Sequence, residues 1–366
     1  MTKMLCLQDF EEYAKNTLDR KTYAFYSQGA EREVTLRENI RAFTRCTFVP
    51  RWLSSKEERD LSTTVLGEKL SMPIGIAPMS YQRLAHPDGE LAAARAATDA
   101  GAIYTLSTSA SSSIQEVAAS RPNTSPLWMQ LYVFKDRKGT MKIIRWAEEN
   151  GFKAIVLTVD RPVNGLQLKL WRNGLDLPPH IRARNIENAL GENQTTMKVT
   201  RNHISHSDIL NSTLSWEDVA WVKSVSKLPV ILKGILSVED ALEAVKYGAS
   251  AVWISNHGGR QLDCVPTSLN VLPDISNALA GTGCEIYVDG GVRWGSDVLK
   301  ALALGARCVF VGRPILYGLN HSGQDGVRSV QEILRSELDR AMHLAGCNSI
   351  REIGPHLIQK RQQAKI

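Results

Sequence analysis

The sequence predicts an α/β protein, a (β/α)8 barrel of the TIM type. Three observations predict it: about eight short apolar runs rich in β-branched residues, helix-like stretches between them that end in glycine, and polar residues where the runs end. A doubly wound sheet is the alternative, but no Gly-x-Gly-x-x-Gly follows an early strand. A chain of 366 residues suits one barrel with insertions.

The runs are Ile74-Gly75-Ile76-Ala77, Ile103-Tyr104-Thr105-Leu106, Trp128-Met129-Gln130-Leu131, Ile155-Val156-Leu157-Thr158, Val230-Ile231-Leu232-Lys233, Val252-Trp253-Ile254-Ser255, Ile286-Tyr287-Val288-Asp289 and Val309-Phe310-Val311-Gly312. Helices are expected from Leu91 to Ala100, Val238 to Tyr247 and Asp297 to Leu304, each before a Gly-Ala pair at 101, 248 and 305. Glycine accepts the left-handed conformation that closes a helix. Ser215-Trp216-Glu217-Asp218 and Ser237-Val238-Glu239-Asp240 read as capping boxes at helix starts.

The alternation breaks between Thr158 and Val230, where the polar stretch Arg184 to Asp208 reads as a long loop after strand 4, placed to cover an active site. Residues 1–70 precede the first strand and read as an N-terminal helical cap, 71–345 as the barrel and 346–366 as a C-terminal tail, all in one domain.

No apolar run approaches the ~20 residues of a membrane helix, and the N-terminus lacks a secretory core, so no membrane association is expected. The six cysteines show no Cys-x-x-Cys pair and suggest neither a disulfide framework nor zinc. A net charge of +6 without basic runs interleaved with aromatics does not point to nucleic acid. His203-x-x-His206-x-Asp208 has metal-like spacing but no supporting context, so no metal is expected.

In a barrel the residues after each strand face the active site. After strand 6 comes Ser255-Asn256-His257-Gly258-Gly259-Arg260-Gln261-Leu262-Asp263, a base three residues from an anion clamp. Arg260 is expected to help keep His257 neutral, and Asp160 after strand 4 to stabilise the cation formed later. Lys233 at the end of strand 5 could stabilise an anion developing on a cofactor. Strands 7 and 8 end in Asp289-Gly290-Gly291-Val292-Arg293 and Val311-Gly312-Arg313-Pro314, open glycine amides beside arginine charge. That pair predicts a phosphorylated ligand without saying which.

At these residues the sequence resembles the FMN-dependent 2-hydroxy-acid oxidases, a family that includes glycolate oxidase and the long-chain hydroxy-acid oxidases. The resemblance runs from Phe25-Tyr26-Ser27-Gln28-Gly29-Ala30 to Gly346-Cys347 and includes Ala301-Leu302-Ala303-Leu304-Gly305-Ala306. It implies an (S)-2-hydroxy-acid oxidase with FMN as cofactor and His257 as base. Asp160 would be its partner, Arg260 the carboxylate ligand and Tyr132 a hydroxyl near the substrate oxygen. It implies FMN contacts from Pro78, Met79, Ser107, Gln130, Thr158, Lys233, Ser255, Asp289, Gly291, Arg293, Gly312 and Arg313. It also implies a homotetramer or homo-octamer, with a 2-hydroxy acid and oxygen as small-molecule partners.

Three positions depart from the glycolate oxidase pattern. Phe25 stands where a tyrosine would meet the carboxylate, Ser109 where a bulky aromatic is usual, and Gln167 where the family has a second carboxylate-binding arginine. Losing one charge-assisted contact costs ~1.5–3 kcal/mol unless Lys169 or Arg172 compensates. Together these changes predict a medium- or long-chain acid rather than glycolate. Phe25 and Gln167 also leave open a flavin-binding relative with weak or lost oxidase activity, acting in ligand sensing or protein association. A barrel using another phosphorylated ligand is a third reading. Ala364-Lys365-Ile366 resembles a relaxed peroxisomal address; without it the expected location is cytoplasmic.

Overall fold

In the computed structural model, residues 4–54, 56–122, 125–175, 177–191, 199–200, 203–204 and 209–360 are described. Eight parallel strands close into a barrel: β1 (Ile74–Ile76), β2 (Tyr104–Leu106), β3 (Leu127–Leu131), β4 (Ala154–Thr158), β5 (Val230–Ile235), β6 (Ala251–Ile254), β7 (Glu285–Asp289) and β8 (Cys308–Val311). Each strand pairs with its neighbours in chain order, and β8 closes onto β1. All eight expected runs are strands, displaced by one or two residues at their ends.

Buried rings fill the bore. Trp128, Trp253, Tyr287 and Phe310 are wholly buried, with the Trp253 and Phe310 rings 3.9 Å apart and those of Trp128 and Tyr287 5.3 Å apart. The antiparallel hairpin Thr63–Val65/Glu68–Leu70 adds Val65 and Leu70 to this cluster. Leu66 N–H of that hairpin donates to Glu285 at the start of β7, so the hairpin plugs the amino-terminal end of the barrel.

The helices follow the alternation, with Gly89–Asp99, Val238–Lys246 and Gly295–Ala303 at the expected places. The glycines that close them have φ of +61°, +76° and +110° at Gly101, Gly248 and Gly305. The capping box at Ser215 forms, and Ser237 Oγ accepts from Asp240 N–H at 3.1 Å.

The insertion after β4 is not all loop. Arg184–Leu190 is a helix, because Ile186 and Ala189 find apolar cover and buried Asn185 accepts Ile114 N–H at 2.9 Å. Tertiary burial overrode a polar local sequence. His206 and Asp208 of the metal-like spacing, and the C-terminal tripeptide, lie outside the described residues.

Ahead of the barrel come α1 (Leu7–Thr17), α2 (Arg20–Ser27) and α3 (Val34–Thr44). Asp19 caps α2 by accepting from Lys21 and Thr22 N–H. Asp263, from the loop after β6, accepts from Val34 and Thr35 N–H at 3.1 and 2.8 Å and so fixes the start of α3 over the barrel mouth. Strand Cys46–Phe48 pairs antiparallel with Ile358–Lys360, joining a segment ahead of the barrel to one that follows it. Among the described residues no helix is long and apolar enough to cross a membrane, and no group of three or more His, Cys, Asp or Glu is placed to hold a metal ion.

Candidate active site

The carboxyl ends of the strands surround one cavity, lined among others by Phe25, Pro78, Met79, Ser107, Ser109, Gln130, Tyr132, Thr158, Gln167, Lys233, His257, Arg260, Asp289, Gly291, Arg293, Gly312 and Arg313. Of the expected site residues, Asp160 and Ser255 stand one layer behind it. Each explains the posture of the residue in front.

Asp160 holds His257: Oδ1 lies 2.8 Å from Nδ1. An ionised carboxylate only accepts, so Nδ1 carries the proton and Nε2 is left as the basic atom. Burial opposes charge on Asp160, but His257, Lys233 and Arg161 outweigh it and keep the carboxyl below its usual range. Burial also pushes His257 below its ordinary pKa, against the pull of Asp160, with Lys233 and Arg161 adding to the depression. The cations that matter most for this neutrality are therefore Lys233 and Arg161 rather than the expected Arg260. Asp160 Oδ2 is buried without a hydrogen-bond partner among the described residues.

The loop carrying His257 is left-handed at three successive residues, with φ of +58°, +66° and +74° at His257, Gly258 and Gly259. A non-glycine residue there costs ~1–2 kcal/mol, so its surroundings must hold it. His257 N–H donates to Ser255 Oγ, Arg313 Nη1 donates to Gly258 O, and Ala30 N–H donates to Gly259 O. A side chain at Gly259 would meet Leu36 N at 2.6 Å, so only glycine lets α3 approach. Gly234, at φ +110°, likewise admits Asp160, whose Cβ would lie 2.6 Å from an added side chain.

Beneath the cavity a buried network closes on itself. Lys233 Nζ donates to Ser255 Oγ at 2.9 Å and lies 3.4 Å from Asp289 Oδ2. Ser255 Oγ–H donates to Asp289 Oδ1 at 2.6 Å, and Trp253 Nε1–H donates to Asp289 Oδ2 at 3.1 Å. Burial works against the Lys233 charge, but Asp289 and Asp160 more than offset it and raise its pKa. Gln130 is aligned by Thr158 Oγ1, which it meets at 3.1 Å, and by Thr108 N–H.

Opposite lie Gly290 and Gly291, at φ +99° and +85°, with Arg293 and Arg313. Gly312 precedes the helix Arg313–Ala345, whose start has no side-chain cap. Open amides and two guanidiniums give a phosphate its donors and its charge.

Arg260 comes in over Phe25, 5.4 Å from the ring centroid, and Nη1 donates to the carbonyls of Phe25, Tyr26 and Gln28. Burial, then Arg313 and Arg161, push its pKa down. A crowded buried guanidinium is relieved by an incoming anion. Gln167 Nε2 donates to Arg260 O at 3.3 Å, and its Oε1 accepts from Gln28 at 3.3 Å.

Neither proposed substitute for the missing arginine reaches the cavity. Lys169 is drawn outward to Glu33 at 2.8 Å, and Arg172 is exposed. Arg161 lines the cavity instead, a residue to which sequence reasoning gave no role although it directly follows Asp160. Asn164, Gln261 and Tyr81 are further wall residues that went unmarked.

The family model for FMN-dependent dehydrogenase matches residues 14–360. The chain belongs to the FMN-dependent dehydrogenase family. It is 44% identical to human 2-hydroxyacid oxidase 1 over 100% of this chain and 99% of the relative. It is 45% identical to glycolate oxidase 1 of Zea mays, over 96% and 95% of the two chains. A solved mandelate oxidase bound to (S)-4-hydroxymandelic acid superposes with a TM-score of 0.89 at 40% identity, covering 97% of this chain and 98% of that one. FMN is the cofactor of the family, and the donor set at the mouth fits it: glycine amides and paired arginines for a phosphate, buried Lys233 and Gln130 for the polar edge of a flat ring.

Proposed function

We propose that this protein oxidises a 2-hydroxy acid to the 2-oxo acid, with oxygen reduced to hydrogen peroxide. The observation that carries the reading is the Asp160–His257 pair, a neutral, oriented imidazole facing a cavity that also presents the Arg260 guanidinium. Arg260 binds the carboxylate, the Tyr132 hydroxyl approaches the substrate oxygen, and His257 Nε2 takes up a proton while Asp160 stabilises the imidazolium. Bound FMN supplies a two-electron acceptor that oxygen can reoxidise. The acid loses two electrons and two protons, and oxygen takes up the same number as hydrogen peroxide. Lys233, Gln130, Thr158, Ser107, Pro78 and Met79 would hold the ring, with Ser255 and Asp289 behind Lys233. Gly291, Arg293, Gly312 and Arg313 would hold the phosphate.

Phe25 and Ser109 favour a medium- or long-chain acid over glycolate, since one removes a hydroxyl from the carboxylate end and the other widens the wall. By likeness to the family we read a homotetramer or homo-octamer of one-domain chains. From Ala364-Lys365-Ile366 we read a peroxisomal address.

The test is to isolate the yellow protein and add a panel of 2-hydroxy acids without oxygen. Bleaching of the flavin by medium- or long-chain acids, and peroxide on admitting air, is the expected result. A flavin that no acid bleaches would put the ligand-sensing reading, favoured by Phe25 and Gln167, ahead of this one.

A further inference from the structure

The substrate half of the cavity holds a cation whose purpose the reaction outlined above leaves open. Arg161 follows Asp160 out of β4 and lines the cavity wall. Its guanidinium lies 5.1 Å from the centroid of the Tyr132 ring, and Nε and Nη2 both donate to Asn164 Oδ1, at 3.0 and 2.5 Å. Stacking and fork together fix the plane of the group. Two of its five N–H donors are spent, and the Nη1 edge is free to meet a ligand. No carboxylate lies within ion-pair distance of Arg161 among the described residues.

Counting charge says what that ligand is. Lys233 and Asp289 cancel as a buried pair. His257 is neutral, which leaves Asp160 with one negative charge against Arg161 and Arg260 with two positive ones. The substrate half thus carries one positive charge in excess, and one carboxylate balances it. A second anionic group would leave a net negative charge among buried residues, an expensive outcome. Arg260 has spent its Nη1 edge on three carbonyls, so a carboxylate gains from a second donor group. Gln167, engaged with Gln28 and the Arg260 carbonyl, has no charge to offer.

We propose that Arg161 is the second substrate-binding arginine of this protein, meeting from the β4 loop the carboxylate that Arg260 holds, and that the acid is a monocarboxylate with an uncharged tail. The proposal rests on the 2-hydroxy-acid reading and names which acids it takes.

The experiment uses the flavin-loaded enzyme and its Arg161→Met and Arg161→Lys variants. Flavin content and thermal midpoint are measured first, and Arg161→Gln replaces the Met variant if that one loses flavin. Arg161→Met is expected to raise KM for every monocarboxylic 2-hydroxy acid by about tenfold to a hundredfold, whatever the tail. Binding of butanoate, an unreactive monocarboxylate read by perturbation of the oxidised flavin spectrum, should weaken by a similar factor. Arg161→Lys should restore part of both. The acid limb of the kcat/KM profile should move to higher pH in Arg161→Met, because the arginine depresses the pKa of His257. Unchanged butanoate binding and KM in Arg161→Met would overturn the proposal. So would a preference for a 2-hydroxy diacid with the loss confined to it. If the wild-type flavin is bleached by no acid, the broader reading fails, and that result is in hand before any variant is made.

Discussion

The cavity has two halves built in opposite ways. The cofactor half is made where strands end: Lys233 on β5, Ser255 just after β6, Asp289 on β7 and Gly312 just after β8, bound into one buried network or opened by glycine. The substrate half is made of loops and borrowed groups. Arg260 leans on carbonyls from the end of α2 and beyond, His257 sits in a left-handed turn, and Asp160 keeps one oxygen without a hydrogen-bond partner among the described residues. The contrast teaches that the part which holds the cofactor is fixed by the barrel itself. The part proposed to choose the acid rests on single side chains of the cavity wall, among them Phe25, Ser109, Arg161 and Gln167.

The sharpest way to break this contrast is His257→Gln, a change in the substrate half alone. Flavin reduction by any acid should fall ~10²–10⁴-fold, with flavin content unchanged in the absorption spectrum. Loss of flavin instead would show that the halves are not separable. Lys233→Met strikes the other half, leaving Asp289 buried beside its polar neighbours without its cation. Breaking such a pair costs about 3–5 kcal/mol, so denaturant unfolding should show a clear loss of stability and dialysis should release the cofactor.

Asp160→Asn is expected to lower kcat by about 10²-fold, since it removes the charge that stabilises the imidazolium. It also carries a sign. Asp160 raises the pKa of His257 against the larger effect of burial, so the acid limb of kcat/KM, already below ~6.5 in the wild type, should move to still lower pH. The Arg161 variant should shift the same limb the other way, and two opposite shifts in pH-rate profiles would locate both charges around one imidazole. The smallest effect belongs to Ser109→Trp. Refilling the wall should swing the ratio of kcat/KM for glycolate over a long-chain acid by about tenfold toward glycolate, measured as peroxide production.

Legibility in the sequence follows the same division. Strands, helix-ending glycines and the Asp289 and Gly312 segments were readable because each depends on a few adjacent residues. The pairing of His257 with Asp160 was readable, but the effect of Lys233 and Arg161 on His257, ahead of that of Arg260, was not. Chain neighbours are poor guides to distance across a barrel mouth. Lys169 and Arg172 looked able to replace an arginine at 167 because they are near it in sequence. The short helix Leu168–Asn173 instead carries Lys169 outward to Glu33. Arg161 went unmarked because chain position alone does not tell which residue of a strand-end loop turns inward, and here Tyr132 and Asn164, from two different loops, hold it there. The helix at Arg184 escaped notice for a related reason, since its apolar cover comes from elsewhere in the chain.

The ring-filled bore settles how traffic must run. With Trp128, Trp253, Tyr287 and Phe310 packed across the axis and the hairpin behind them, the cavity has no back door through the barrel. A ligand then has to reach the cavity from the strand-end mouth, over which Asp263 holds the start of α3. Under the proposed oxidase reading, acid, product and oxygen take turns at that mouth, and an acid whose tail lingers there delays the oxidant as well as its own departure.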